Sequence, residues 1–237
     1  MTRFLVLLPL PEGEGAVIRA VVFDAYGTLL DVHAAMQRHA DLLPPDWERI
    51  SAEWRTKQIE YTWVDTLTGH HRRDFWQVTQ DALAFVAARH RITDPEVLQA
   101  LLDAYRRLPA YPDAVPALSA LRERGMRAAI LSNGEPGMLH DAVTAARLAP
   151  LLDAVLSVED AATFKPDRRV YQLAEDRFSL PAGQMAFVSS NAWDAQAAAA
   201  AGFKVFWCNR AAQPDEYGLR ATATEMPGLS ALPLLLA

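Results

Sequence analysis

At four places in this chain an apolar run stops on side chains able to do chemistry. Asp24 ends the run Val21-Val22-Phe23 and is followed by Ala25-Tyr26-Gly27-Thr28. Gly27 allows a sharp turn there, and the Thr28 hydroxyl can donate back to the Asp24 carboxylate. Ser132-Asn133-Gly134 closes the run from Met126 to Leu131, Lys165-Pro166 follows the run from Ala154 to Val158, and Ser189-Ser190-Asn191 with Asp194 follows Met185 to Val188. Together these clusters hold a carboxylate able to attack carbon, and the ammonium, hydroxyl and amide donors that would orient it. Singly, each has a plainer use: a strand-end aspartate in a turn, a turn serine, a capping asparagine, a solvated lysine. Turns alone do not readily place four such clusters after four apolar runs.

To meet, these residues must leave neighbouring strands at one edge of a sheet. Ile18 to Phe23 reads as a strand buried on both faces, as in a parallel sheet. From Tyr111 onward the pattern alternates. Pro112–Arg124, Gly137–Leu148, Asp167–Phe178 and a segment through Asp194 and alanines 197–201 read as helices. Met126–Leu131, Ala154–Val158, Met185–Val188 and Lys204–Cys208 read as strands between and after them. Such alternation predicts an α/β fold, a doubly wound parallel sheet with helices on both faces. Ligands of such sheets bind in the crevice at the carboxyl ends of the strands, where the polar clusters fall. The alanine run reads as a helix packed closely on the sheet, since alanine is the best helix former.

Between Met36 and Leu108 the pattern is helical throughout. Ile50, Trp54, Ile59 and Trp63 repeat at helical spacing from Trp47, with Arg55, Lys57 and Glu60 between them. Val78, Leu83, Phe85 and Val86 mark a second helix from Phe75 to Ala88. Asp94-Pro95-Glu96 is a helix start, with a capping acid, proline at the first position and an acid in the first turn. Helices without strands suggest a bundle inserted after the first strand.

Composition excludes several classes. The 237 residues carry a net charge of -6, which disfavours nucleic acid or an anionic membrane as partner. Cys208 is the only cysteine, which rules out an internal disulfide and fits the cytoplasm. The histidines at 33, 39, 70, 71, 90 and 140 show no zinc-ligand spacing with cysteine or carboxylate. Phe4 to Leu10 is apolar after Arg3, but Pro9 and Pro11 interrupt it and no small-residue cleavage site precedes Glu12 and Glu14. Residues 1–16 are expected to be an N-terminal extension. The run Gly69-His70-His71-Arg72-Arg73-Asp74 is expected to be a solvated loop.

The order Asp24-Ala25-Tyr26-Gly27-Thr28, Ser132-Asn133-Gly134, Lys165-Pro166 and then an acid after the next strand resembles the haloacid dehalogenase superfamily. Three strings are similar to its L-2-haloacid dehalogenases: Phe23 to Leu29, Trp54-Arg55-x-Lys57-Gln58-x-Glu60-Tyr61-x-Trp63, and Val188-Ser189-Ser190-Asn191-Ala192-Trp193-Asp194-Ala195. The resemblance covers the chain from Val17 to about Asn209. It implies a Rossmann-like core domain from residues 17–34 and 110–237, with an inserted helical cap domain over 35–109. It also implies hydrolysis of short L-2-haloacids to D-2-hydroxy acids through an ester on Asp24, in a family where dimers are common.

Residue by residue, the resemblance makes Asp24 the nucleophile and places Lys165 beside it. Thr28, Ser189 and Asn191 become its hydrogen-bonding positioners, and Asp194 the residue that orients Lys165 and helps activate water. Tyr171, six residues after Lys165, takes the family's tyrosine position, although a buried helix-face aromatic would look the same. Arg55 would receive the departing halide, with Asn133 as a neutral donor. Ser132 and nearby amides would anchor the substrate carboxylate, and Tyr26, Ile59, Phe75 and Trp193 would wall the alkyl group. The segment before Phe75 is one residue longer than the resemblance leads one to expect.

Most of the superfamily are phosphatases, which resemble Asp-x-Asp-x-Thr and use the second Asp to protonate an alkoxide. Here Tyr26 stands at that place, so this acid is missing. Halide leaves without a proton, so a dehalogenase does not need it. No cofactor and no metal is expected, and the partners are a small haloacid and water. A phosphoryl-hydrolysing or non-catalytic member of the superfamily is the competing expectation.

Overall fold

The computed structural model describes residues 17–69 and 73–236. Residues 1–16, His70, His71 and Arg72 lie outside the described residues, and with them the expected extension and most of the expected basic loop. Six parallel strands form one sheet: β1 (Ala20–Phe23), β2 (Arg127–Ser132), β3 (Ala154–Ser157), β4 (Met185–Ser189), β5 (Lys204–Cys208) and β6 (Thr224–Met226), in spatial order β3-β2-β1-β4-β5-β6. Every residue of β1 is fully buried, because the strand is central in the sheet and helices cover it. Burying each of Val21, Val22 and Phe23 stabilises the fold by about 1.5–3 kcal/mol. Register aligns Phe23 with Ile130 of β2 and Val188 of β4. Asp24, Ser132 and Ser189 therefore emerge together at the carboxyl edge, where the strand order reverses around β1.

After Asp24 the backbone folds on itself. Gly27 has φ of +92°, a left-handed conformation that side chains resist, and the Leu29 and Leu30 amides both donate to the Ala25 carbonyl at 2.9 Å. Leu30 then forms an antiparallel bridge with Ala110. The Asp31 amide donates to Pro109 O at 3.0 Å and the Tyr111 amide to Leu29 O at 2.9 Å.

Between these two points run α1 (Ala34–Gln37), α2 (Trp47–Thr68), α3 (Phe75–His90) and α4 (Pro95–Arg106). Asp74 and Gln77 form a reciprocal capping box at the start of α3, and the Asp94 side chain accepts from the Glu96 amide ahead of Pro95. Each cap contributes about 1 kcal/mol. On α2 the buried stripe is Ile50, Trp54, Gln58, Ile59 and Thr62, which packs against α3. The helix continues past Trp63 to Thr68, where Gly69 closes it in a left-handed turn.

Beyond Ala110 lie α5 (Ala114–Glu123), α6 (Pro136–Ala145), α7 (Arg168–Phe178), α8 (Ala192–Ala200), α9 (Leu219–Thr222) and α10 (Leu232–Leu235). The first four are the helices read from the sequence, with ends shifted by up to three residues; α9 and α10 were not read from it. No helix among the described residues is long and apolar enough to cross a membrane.

Two expectations need correction. Phe85 was counted in the apolar helical spacing of α3, yet it is 40% exposed and its ring lies 4.9 Å under Lys57 Nζ. Arg73 is not free in solvent: it forms a bidentate pair with the buried Asp65 carboxylate, bonds Asp81, and covers the Tyr61 ring. Salt bridging rather than solvation holds that end of the loop.

Candidate active site

The Asp24 carboxylate is 5% exposed and has unequal oxygens. Oδ2 accepts from Thr28 Oγ1 at 3.0 Å and Asn191 Nδ2 at 2.8 Å. Oδ1 accepts only from Lys165 Nζ, at 3.1 Å, among the described residues. Thr28 is itself fixed by accepting the Ser190 backbone N–H at 2.8 Å, which turns its proton toward Asp24. The loop after β4 thus orients the loop after β1.

Lys165 is buried and also bonds Asp194 Oδ2, at 2.8 Å. Asp194, in the first turn of α8, further accepts from Tyr171 Oη at 2.6 Å and Ser189 Oγ at 3.1 Å. Burial opposes the charge of Lys165, but the two carboxylates outweigh it and raise its pKa above the ordinary lysine value. Burial raises the Asp194 carboxyl as well, the negative Asp24 adds to this, and the Lys165 ammonium opposes it. Tyr171 is pushed well above a normal phenol by burial and then by Asp194, so it stays a donor. The sequence left Tyr171 as either a site residue or a buried aromatic; the structure buries it on α7, 1% exposed, with its hydroxyl on Asp194.

The β2 edge supplies further donors. Asn133 Oδ1 accepts the Lys165 backbone N–H at 2.9 Å, an assignment that leaves Nδ2 as a donor. Ser132 Oγ accepts from the Gly134 amide at 3.1 Å and keeps its own proton to give. Gly134 is required: a Cβ there would sit 2.8 Å from Leu139 Cδ2 and 3.0 Å from Tyr26 Cε2. The Tyr26 ring stacks on Tyr105 at 5.7 Å, and burial pushes its hydroxyl well above the usual phenol range.

From α2, Arg55 donates to the Tyr26 carbonyl at 3.2 Å, as does Asn191 Nδ2 at 3.2 Å. A guanidinium therefore stands over the Asp24–Thr28 loop, its surface-pairing alternative being unused: Glu60 bonds Lys57 and Asp65 bonds Arg73.

A family model of haloacid dehalogenase-like hydrolases matches residues 18–202. The chain belongs to that family. Among haloacid dehalogenase-like hydrolases, the chain is 46% identical to (S)-2-haloacid dehalogenase 1 of Pseudomonas sp. strain CBS-3 over 220 residues, covering 92% of this chain and 96% of that one. It is 44% identical to (S)-2-haloacid dehalogenase 4A of Burkholderia cepacia, covering 92% and 95%. A structure of L-2-haloacid dehalogenase from Xanthobacter autotrophicus with chloropropionic acid covalently bound superposes with a TM-score of 0.85 at 35% identity, covering 92% and 98%.

Within this haloacid dehalogenase-like frame, a chamber of about 410 Å³ opens beside Arg55 and Asn191, walled by Thr56, Ile59, Glu60, Trp63 and Trp193. Ile59 and Trp193 line it as expected. Tyr26 and Phe75 do not; both are buried, and Phe75 backs Tyr26 at 5.7 Å and Phe164 at 6.4 Å.

Two features escaped the sequence. Behind Arg55, Tyr105 Oη donates to Gln58 Oε1 at 3.1 Å, Gln58 Nε2 donates to Thr79 Oγ1 at 2.9 Å, and Trp54 Nε1 donates to Thr79 O at 3.0 Å. The second feature is Arg210, just past β5. It grips Asp113 through two 2.8 Å bonds and donates to the Thr28 carbonyl at 3.1 Å. Its signal was the one used for the other strands, a polar residue following an apolar run.

Proposed function

We propose that this protein hydrolyses short L-2-haloacids to D-2-hydroxy acids through an ester on Asp24, without a metal. The observation that carries this is the asymmetry of the nucleophile: Oδ2 is held by two neutral donors, while Oδ1 faces a single ammonium. Oδ1 attacks C2 in line, inverting it, and the halide leaves toward Arg55 and Asn133 Nδ2. The substrate carboxylate takes the Ser132 hydroxyl. A guanidinium is always charged and more weakly hydrated than an ammonium, which suits it to a departing halide.

Oδ2 then becomes the ester carbonyl oxygen, with Thr28 and Asn191 already aimed at it. When water attacks Cγ, negative charge develops on Oδ2, where preorganised donors are worth most. Asp194, its carboxyl raised by burial, takes the water proton. Lys165 Nζ, 3.1 Å from Oδ1, gives a proton to the departing alkoxide, and the 2.8 Å bond to Asp194 returns it. Ser189 and Tyr171 keep Asp194 in place.

The helical segment 35–109 serves as a cap, bringing Arg55 over the site and excluding water from Asp24. Cytoplasmic location fits the single buried thiol of Cys208. A phosphoryl-hydrolysing role is disfavoured by Tyr26, whose phenol, raised by burial, is a weak acid where that chemistry wants a carboxyl. A non-catalytic role has no use for a buried nucleophile with this support.

The test is chloride release from L-2-chloropropionate with chelator present, followed by one turnover in oxygen-18 water. Release of D-lactate with the label entering Asp24 first supports the proposal. Strict need for magnesium, or label in product alone on that turnover, overturns it.

A further inference from the structure

Two hollows lie side by side between α2 and α8, and the same pair of indoles walls both. One is the 410 Å³ chamber beside Arg55 and Asn191. The other, about 530 Å³, is bounded by Leu67, Pro166, Ala197, Ala200 and Tyr217 and does not touch Asp24 or Arg55. Trp63 and Trp193 belong to both linings and meet edge to face, with ring centroids 5.6 Å apart at 83°.

The chamber leaves an alkyl group one way to go. On the side of Tyr26, the protein is closed by Tyr26, Phe75, Trp54 and Tyr105, each at most 2% exposed. At the rim Glu60 is charged and paired with Lys57 at 2.6 Å. Apart from Thr56, the remaining wall is apolar: Ile59, then Trp193 and Trp63. A chain entering the chamber beside Arg55 meets, as the walls shared with the second hollow, Trp63 and Trp193.

Trp63 is held differently from the other tryptophan of α2. The Trp54 indole N–H is tied to Thr79 O, whereas that of Trp63 is buried without a partner among the described residues. Packing alone fixes the Trp63 ring, so a smaller side chain there removes a wall without breaking a hydrogen bond.

From this we infer that Trp63 sets the substrate's chain length, and that the apolar groove behind it is a latent subsite for the alkyl tail of 2-haloacids of six or more carbons. The inference rests on the dehalogenase reading. A methylene that a pocket accepts or rejects changes the specificity constant by roughly tenfold or more.

The experiment compares kcat/KM for L-2-bromopropionate and L-2-bromohexanoate by bromide release. Wild type is expected to favour the three-carbon acid by at least tenfold. Trp63→Ala should shift the six-to-three-carbon ratio at least tenfold toward the longer acid, and Trp63→Leu by less. Adding Ala200→Phe to Trp63→Ala refills the groove and should return the ratio toward wild type, which a merely loosened fold would not do. Equal use of both acids by wild type, or a ratio unchanged within threefold in both Trp63 variants, overturns the inference. Absence of bromide release from either acid by wild type instead overturns the dehalogenase reading beneath it.

Discussion

Replacing Thr28 by valine isolates the step at which the nucleophile's supporting oxygen matters. The substitution preserves shape in a fully buried site and removes two bonds at once: the 3.0 Å donation to Asp24 Oδ2 and the 2.8 Å acceptance from Ser190 N–H. If Oδ2 is the ester carbonyl, Thr28 contributes most when charge gathers there during hydrolysis. A hydrogen bond to a charged group is worth about 1.5–3 kcal/mol, and losing one oxyanion donor costs about 10²–10³-fold in rate. Attack by Oδ1 should slow far less, since Oδ2 loses negative charge in that step. The ester should therefore accumulate. Rapid quenching should show a burst of halide close to one per active site, then turnover slowed about 10²-fold, with the lactyl adduct visible on Asp24 by mass spectrometry. The orphaned Ser190 amide costs about 1–3 kcal/mol, and each kcal/mol lowers Tm by about 2–4 °C in a chain of this size. A slow, burst-free release with no adduct would refute the assignment of the two oxygens.

Three other outcomes are expected. Arg55→Lys should lower kcat about 10²-fold with a much smaller rise in KM, because the cation is needed most when charge has moved onto the halogen; near wild-type kinetics in halide-release assays would remove Arg55 from the site. Because the Lys165 pKa lies above its ordinary 10.5, its proton is lost later as pH rises, so kcat should show no alkaline fall below about pH 10; a descending limb centred near pH 8.5 would contradict the assigned charge state. Arg210→Met leaves Asp113 without its partner and the Thr28 carbonyl without its donor, and should lower Tm by about 4–8 °C and kcat with it; unchanged thermal unfolding would show that the grip on the loop is idle.

Asp24 was legible as a site candidate because a carboxylate ending a doubly buried strand has few neighbours able to satisfy it, and its partners Thr28, Lys165 and Asn191 all lie in loops that follow strands. Period and punctuation exposed the sheet order's ingredients, though not the order itself, which depends on packing between distant segments. Phe75 and Phe85 show the limit of helical spacing. The pattern marks both as apolar on α3, yet one is sealed behind Tyr26 and the other lies under Lys57 in solvent. β6 is three residues long, Thr-Glu-Met, too short and polar to carry an alternating signal. Gln58 sat inside a recognised string without a role, because its partners Tyr105 and Thr79 come from two other helices.

The bridge between Leu30 and Ala110 makes the helical excursion an almost closed loop: the chain departs and returns through adjacent residues, hydrogen-bonded on either side. Pinning the ends this closely means that lengthening, shortening or exchanging what lies between them changes the entropy of closure only slowly. The sheet can therefore carry a different lid without refolding. Leu30, however, also belongs to the turn that begins at Asp24. Leu30 is bonded to the Ala25 carbonyl at 2.9 Å, one peptide from the Asp24 carboxylate, so the segment's departure point and that carboxylate share one turn. Freedom to vary the inserted segment and fixed geometry at Asp24 thus meet at one turn, which Arg210 also holds from the side of Thr28 through the Thr28 carbonyl and Asp113.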